Sequence, residues 1–117
     1  MTNTQNQNKT RTQSEWLEWY EAHGGTKELQ LAPDEHILFH PEYGFITFLV
    51  YDDTLELHHM AGDGKYWFTV LKKIMKLEGL KIFRAYTERN PKAWIRKYGN
   101  ARIKGYYMEA NIDDVKF

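Results

Sequence analysis

The sequence predicts a single mixed α/β domain in which an antiparallel meander leads into a β-α-β unit. Three observations carry this. First, the strand-like runs "HILFH", "FITFLVY" and "LELHHM" are separated only by "PEYG" and "DDT", and short turns of that kind join antiparallel neighbours. Second, residues 65–78 place Trp67, Val70, Leu71, Ile74 and Leu77 or Glu78 on one side and Lys72, Lys73 and Lys76 on the other, the three-and-four repeat of an amphipathic helix. Third, "LKIFRAYT" behind that helix is strand-like again. A strand reached through a helix lies parallel to the strand before it.

Taken in order, residues 1–11 are rich in Asn, Gln and Thr and carry no apolar side chain after Met1. They cannot bury enough surface to offset ordering and are expected to form a disordered tail, with one domain over 12–117. Thr12 and Glu15 make a capping box for a short helix whose apolar face holds Trp16, Leu17 and Tyr20. Gly24 and Gly25 end it, and Pro33 stops the linker that follows. The run "FITFLVY" is apolar on both faces, which suits a strand covered on both sides. Gly79 caps the main helix. Asn90, Pro91 and Gly99 supply the N-cap, first residue and stop of a second one. "ARIKGYYMEANI" then reads as one final strand kinked at Gly105.

Composition narrows the function classes. At 117 residues, 42% hydrophobic and 15% aromatic, the chain can fill one core. Sixteen basic and sixteen acidic side chains cancel, which argues against general nucleic-acid binding and against attraction to an anionic membrane. The absence of cysteine excludes a disulfide scaffold, a thiolate zinc site and a cysteine nucleophile. The N-terminus has no apolar signal-like core, and no apolar run approaches the ~20 residues of a membrane span. The expectation is a soluble cytoplasmic protein.

The strand-to-helix junction "HHMAGDGKYW" is the most informative stretch. A helix start offers unpaired N–H groups and the positive end of a dipole, and glycine lets the backbone approach a pyrophosphate. Lys65 would offset the charge of Asp63. The same two glycines also suit a plain tight turn. There is no G-x-x-x-x-G-K-[ST] and no third glycine, so neither a nucleoside triphosphatase loop nor a dinucleotide fingerprint is present.

With "HMAGDG" at the loop and "GLKIFRAYTERNPKAWIRKYGNARIKGYYMEA" behind it, residues 36 to 110 resemble the GNAT superfamily of acyl-CoA N-acyltransferases. His59 stands in the family's Gln/Arg position, and Gly62 and Gly64 fall on its glycines. Asn90, Ala93 and Gly99 match its second half in kind. Ile95 stands where the family often has a Tyr acid, and Asn100 where it has Phe.

The resemblance implies a GNAT-like sheet whose two parallel central strands splay apart, with acetyl-CoA in the gap. Pantetheine would pair with strand 54–60, and the pyrophosphate would meet the loop amides. The cofactor-binding set is then His59, Met60, Ala61, Gly62, Asp63, Gly64, Lys65 and Asn90, with a backbone N–H near Met60 polarising the acyl carbonyl. An amine would attack directly, without a covalent enzyme intermediate and without a metal.

Glu56 and His58 share a strand face at i and i+2 and are the candidate bases; solvated strand residues would show the same spacing. His58 and His59 alternate to opposite faces of a regular strand, so they cannot chelate one metal. Tyr106 and Tyr107 also alternate, and Tyr107 is the candidate acid for the leaving thiolate. The expected function is N-acetyl transfer from acetyl-CoA to an amine of a small molecule or protein. The alternative is an inactive binding or structural module of the same fold, such as a bacterial or phage accessory protein. Exposed strand edges make a homodimer plausible.

Overall fold

A computed structural model describes residues 10–86, 102–104 and 107–114. The first helix, α1 (Gln13–Ala22), starts at the Thr12 capping box: Thr12 accepts from the Glu15 amide and Glu15 accepts from the Thr12 amide. Arg11 is already tied down, its amide bonded to Pro41 O and its guanidinium 4.6 Å from the centre of the Trp16 ring. Strands β1 (His36–His40), β2 (Gly44–Tyr51) and β3 (Thr54–Gly62) form the expected meander. Helix α2 (Gly64–Glu78) carries the chain to β4 (Ile82–Tyr86), which lies parallel to β3. Strands β5 (Arg102–Lys104) and β6 (Tyr107–Asn111) follow, then a 3-10 turn at Ile112–Asp114.

Among the described residues six strands make one sheet in the order β1-β2-β3-β4-β6-β5, with β3–β4 the parallel pair. Helix α2 covers one face, where Ile46, Phe48, Leu55, Leu57 and Phe83 meet Trp67, Phe68, Leu71 and Met75. Helix α1 covers part of the other through Trp16, packed on Phe45 and Ala61. Strand β2 therefore sends Phe45 to one helix and Ile46 to the other, which is why its sequence is apolar on both faces. No helix among the described residues is long and apolar enough to cross a membrane.

Two expectations change, and a third is not covered. Leu77 is 86% exposed, while Phe68 and Met75 are buried, so the contact stripe of α2 is rotated from the one the repeat suggested. The "ARIKGYYMEANI" stretch is not one kinked strand. Its two halves pair antiparallel, with Lys104 opposite Tyr107, so the chain reverses there. The helix expected from Asn90 to Gly99 lies outside the described residues.

Two glycines close the end of the β2–β3 pair. Gly44 and Gly62 lie opposite each other with φ of +103° and +104°. A Cβ on Gly62 would sit 2.0 Å from Tyr43 O, and one on Gly44 would sit 1.9 Å from Ala61 O. Gly79 also has positive φ, +69°, but open space around it. Gly62→Ala should therefore cost about 3 kcal/mol or more, combining backbone strain with steric overlap. Gly79→Ala should cost only about 1 kcal/mol. Urea unfolding of both variants would show the ordering.

Candidate functional site

Strand β3 is released by both of its neighbours at the same residue. Against β2, Thr47 faces His59 while Phe48 faces Leu57, so His58 is the extra residue of a β-bulge. Against β4, the parallel ladder ends at Leu57–Ala85, although β3 runs on to Gly62. Tyr86, the next residue of β4, pairs with Tyr107 of β6 instead. The described residues of β4 pair with β3 no further than Leu57–Ala85. Within the expected pantetheine partner, strand 54–60, residues 54–57 are engaged by β4.

The bulge also corrects the placement of the two histidines. An unpaired extra residue breaks the alternation of side chains along a strand. His58 reaches Glu56 on its own strand, and His59 places Nδ1 2.8 Å from the Tyr20 hydroxyl of α1. Their ring centres are 6.3 Å apart on the α1 side of the sheet rather than on opposite faces.

His58 is the centre of a chain of polar contacts. Its Nε2 lies 2.6 Å from Glu56 Oε2, and its Nδ1 lies 3.2 Å from Glu35 Oε2. The Tyr51 hydroxyl donates to Glu56 Oε1 at 2.8 Å. Arg84 Nη1 donates to the Tyr51 oxygen at 2.8 Å, and Arg84 Nε donates to Glu109 Oε1 at 2.6 Å. The sheet register sets this up: Glu56, Arg84 and Glu109 are direct cross-strand neighbours on β3, β4 and β6.

Burial decides how these groups ionise. Desolvation pushes the Glu35 carboxyl up, but the nearby Thr47 hydroxyl, the Ala32 amide and His58 together hold it below the usual carboxylate range. The Thr47 hydroxyl is buried without a bond of ordinary geometry, so its effect on Glu35 is one of proximity. Burial, then Glu56, pushes the Tyr51 phenol up and keeps it a donor. The bond to Glu109, ahead of the other causes, keeps Arg84 charged.

The glycine loop is less open than expected. The Asp63 amide donates to Tyr43 O at 3.0 Å. The Asp63 carboxylate N-caps α2 by accepting from the Tyr66 amide at 3.0 Å. Among the described residues the Gly64 and Lys65 amides have no such acceptor. Met60 is half-buried against the α2 core, and Ala61 is buried beneath α1. Tyr107 sits on β6 opposite Tyr86. Asn90 lies outside the described residues.

No protein-family model matches the sequence, and no curated protein matches it. Solved structures do match. One, from Klebsiella pneumoniae and assigned as an acyl-CoA N-acyltransferase, aligns with a TM-score of 0.60 at 14% identity, covering 85% of this chain and 88% of that one. An acetyltransferase from Bacillus cereus aligns with a TM-score of 0.53 at 15% identity, covering 84% and 87%. The chain has a GNAT fold. It spans 61% of the length of the PaiA N-acetyltransferase from Thermoplasma acidophilum, solved in complex with coenzyme A (TM-score 0.49, 18% identity, 67% of this chain).

Within the GNAT fold, the described ladder between the central parallel strands ends one residue before the bulged His58. Glu35, Tyr51 and Arg84 were not singled out from the sequence. Glu35 reads as linker beside Pro33, and Tyr51 as the last aromatic of an apolar run. Arg84 did carry a signal, because a charge inside "KIFRAY" must find partners if the strand is central.

Because its folded pKa is lowered, ionised Glu35 stabilises the fold above the unfolded value of about 4.3, and that contribution is lost as pH falls through the folded pKa. Glu35→Gln should lower Tm at neutral pH, and the gap from the parent should narrow as pH drops from about 5 toward about 2. Thermal melts of both proteins across that range check the sign.

Proposed function

We propose that this chain is an N-acetyltransferase moving an acetyl group from acetyl-CoA to an amine. The observation that carries the reading is the parallel β3–β4 pair at the centre of the sheet, whose described ladder ends at Leu57–Ala85 while β3 runs on to the glycines at the head of α2. A free strand edge pairs with amide-containing chains, and the pantetheine arm carries two amides. The Gly64 and Lys65 amides, at the positive end of α2, suit the diphosphate, with Lys65 adding a full charge. The solved GNAT-fold neighbours that bear acyltransferase names support the same chemistry.

Acetyl-CoA supplies an activated thioester carbonyl. The residues of this chain do the rest. The backbone near Met60 offers an N–H to the carbonyl oxygen. The Glu56–His58 pair collects the proton that the amine loses as its nitrogen bonds to the carbonyl carbon. Tyr107 returns a proton to the sulfur as the carbon–sulfur bond breaks. Every group on this path except Tyr107 belongs to β3.

One observation favours a second reading, a GNAT-fold module that binds without catalysing. Asp63 already places a carboxylate at the helix start and uses its own amide on Tyr43, so an incoming anion meets competition.

Calorimetric titration with acetyl-CoA separates the two readings, since a protein that binds no acetyl-CoA is not this enzyme. Asp63→Asn keeps an N-cap but removes the charge, and should tighten binding several-fold. Gly64→Pro suits the first helical position and deletes one donor, and should weaken binding about tenfold.

A further inference from the structure

Glu56 and Arg84 are direct cross-strand neighbours on β3 and β4. Opposite charges in that register attract, and a guanidinium matches a carboxylate well. Yet the ion pairs of the structure are Arg84 with Glu109 and Glu56 with His58. Between Glu56 and Arg84 stands the Tyr51 hydroxyl, 2.8 Å from Glu56 Oε1 and 2.8 Å from Arg84 Nη1.

The hairpin puts it there. Tyr51 and Thr54 pair across the two-residue turn Asp52–Asp53, in which Asp52 takes a φ of +53°. Leu49 is the residue that faces Glu56, so Tyr51 lies diagonally across the strands from it, within reach of an aromatic side chain. Hydrogen-bond accounting then orients the hydroxyl. A guanidinium only donates, so the Tyr51 oxygen accepts from Arg84 and its single hydrogen is left for Glu56. Burial, then Glu56 itself, keeps that hydrogen on the phenol. Arg84 also lies 5.9 Å from the centre of the Tyr51 ring. Tyr51 is thus clamped even though it is 37% exposed.

With Oε1 occupied by Tyr51, Glu56 turns Oε2 to His58 Nε2, 2.6 Å away. We propose that Tyr51 is the positioning residue of the Glu56–His58 pair: its hydroxyl spaces Arg84 from Glu56, and so leaves the Glu56 carboxylate to His58, whichever of the two carries the hydrogen between them. The placement stands without the acetyltransferase reading, and the role in transfer rests on it.

Tyr51→Phe keeps the ring beside Arg84 and deletes the spacer. Crystal structures of the full chain test the placement. In the variant Arg84 should close directly on Glu56, and the Glu56–His58 contact should lengthen beyond about 3.5 Å. Adding Arg84→Met removes the competitor and should restore that contact. A Glu56–His58 contact unchanged in Tyr51→Phe overturns the proposal, and so does a double variant in which the contact stays broken.

Thiol release from acetyl-CoA, with ethanolamine and lysine amide as probe amines, tests the role. In Tyr51→Phe kcat should fall about tenfold while KM for acetyl-CoA stays within about twofold, and the double variant should recover most of the loss. A Tyr51 that is only structural would lower Tm and leave kcat where it was. A parent that acetylates neither amine removes the role together with the transferase reading, and the crystal comparison still decides the placement.

Discussion

The site depends on one extra residue in β3. His58 has no counterpart on β2, and it is also the first residue beyond the parallel ladder with β4. A bulge adds twist to the strand that carries it. The extra residue also breaks the alternation that would send His58 and His59 to opposite faces. The far end is pinned again at Gly44 and Gly62, where two backbones approach too closely for any side chain. Residues 58–62 of β3 are thus fixed between the end of the β4 ladder and the Gly44–Gly62 contact.

The parallel pair is fixed by the cores on either side of the sheet. Leu55, Leu57 and Phe83 lock the closed half of the parallel pair beneath α2, and Trp16 on Phe45 and Ala61 fixes β2 and β3 beneath α1. The polar chain from Glu35 to Glu109 runs over the closed half and into its mouth. Each of its charges has an opposite or donating partner, which is the condition for keeping charge at low exposure.

Much of the fold was legible because it rests on local chemistry. The Thr12–Glu15 cap, the two turns of the meander, the Gly79 stop and the parallel return through α2 are each set by residues within a few positions of one another. The errors came where a long-range surface chose among local options. Leu77 fits the helical repeat as well as Met75 does, and only the position of the sheet exposes one and buries the other. Pairing between β5 and β6 turned a presumed kink into a reversal. Glu56 and His58 were placed together correctly because i and i+2 share a face in any strand.

By itself, the sequence determined the element order, the sheet's parallel step and the glycines at the head of α2, since periodicity, caps and turn residues act over a few residues of chain. Tertiary structure alone decided where the described ladder between β3 and β4 ends, that His58 is bulged, and that Glu35, twenty-three residues upstream, closes on its ring. Those outcomes follow from strand register and from the burial of a carboxylate among distant donors, which are properties of the assembled sheet and have no signature in any single segment.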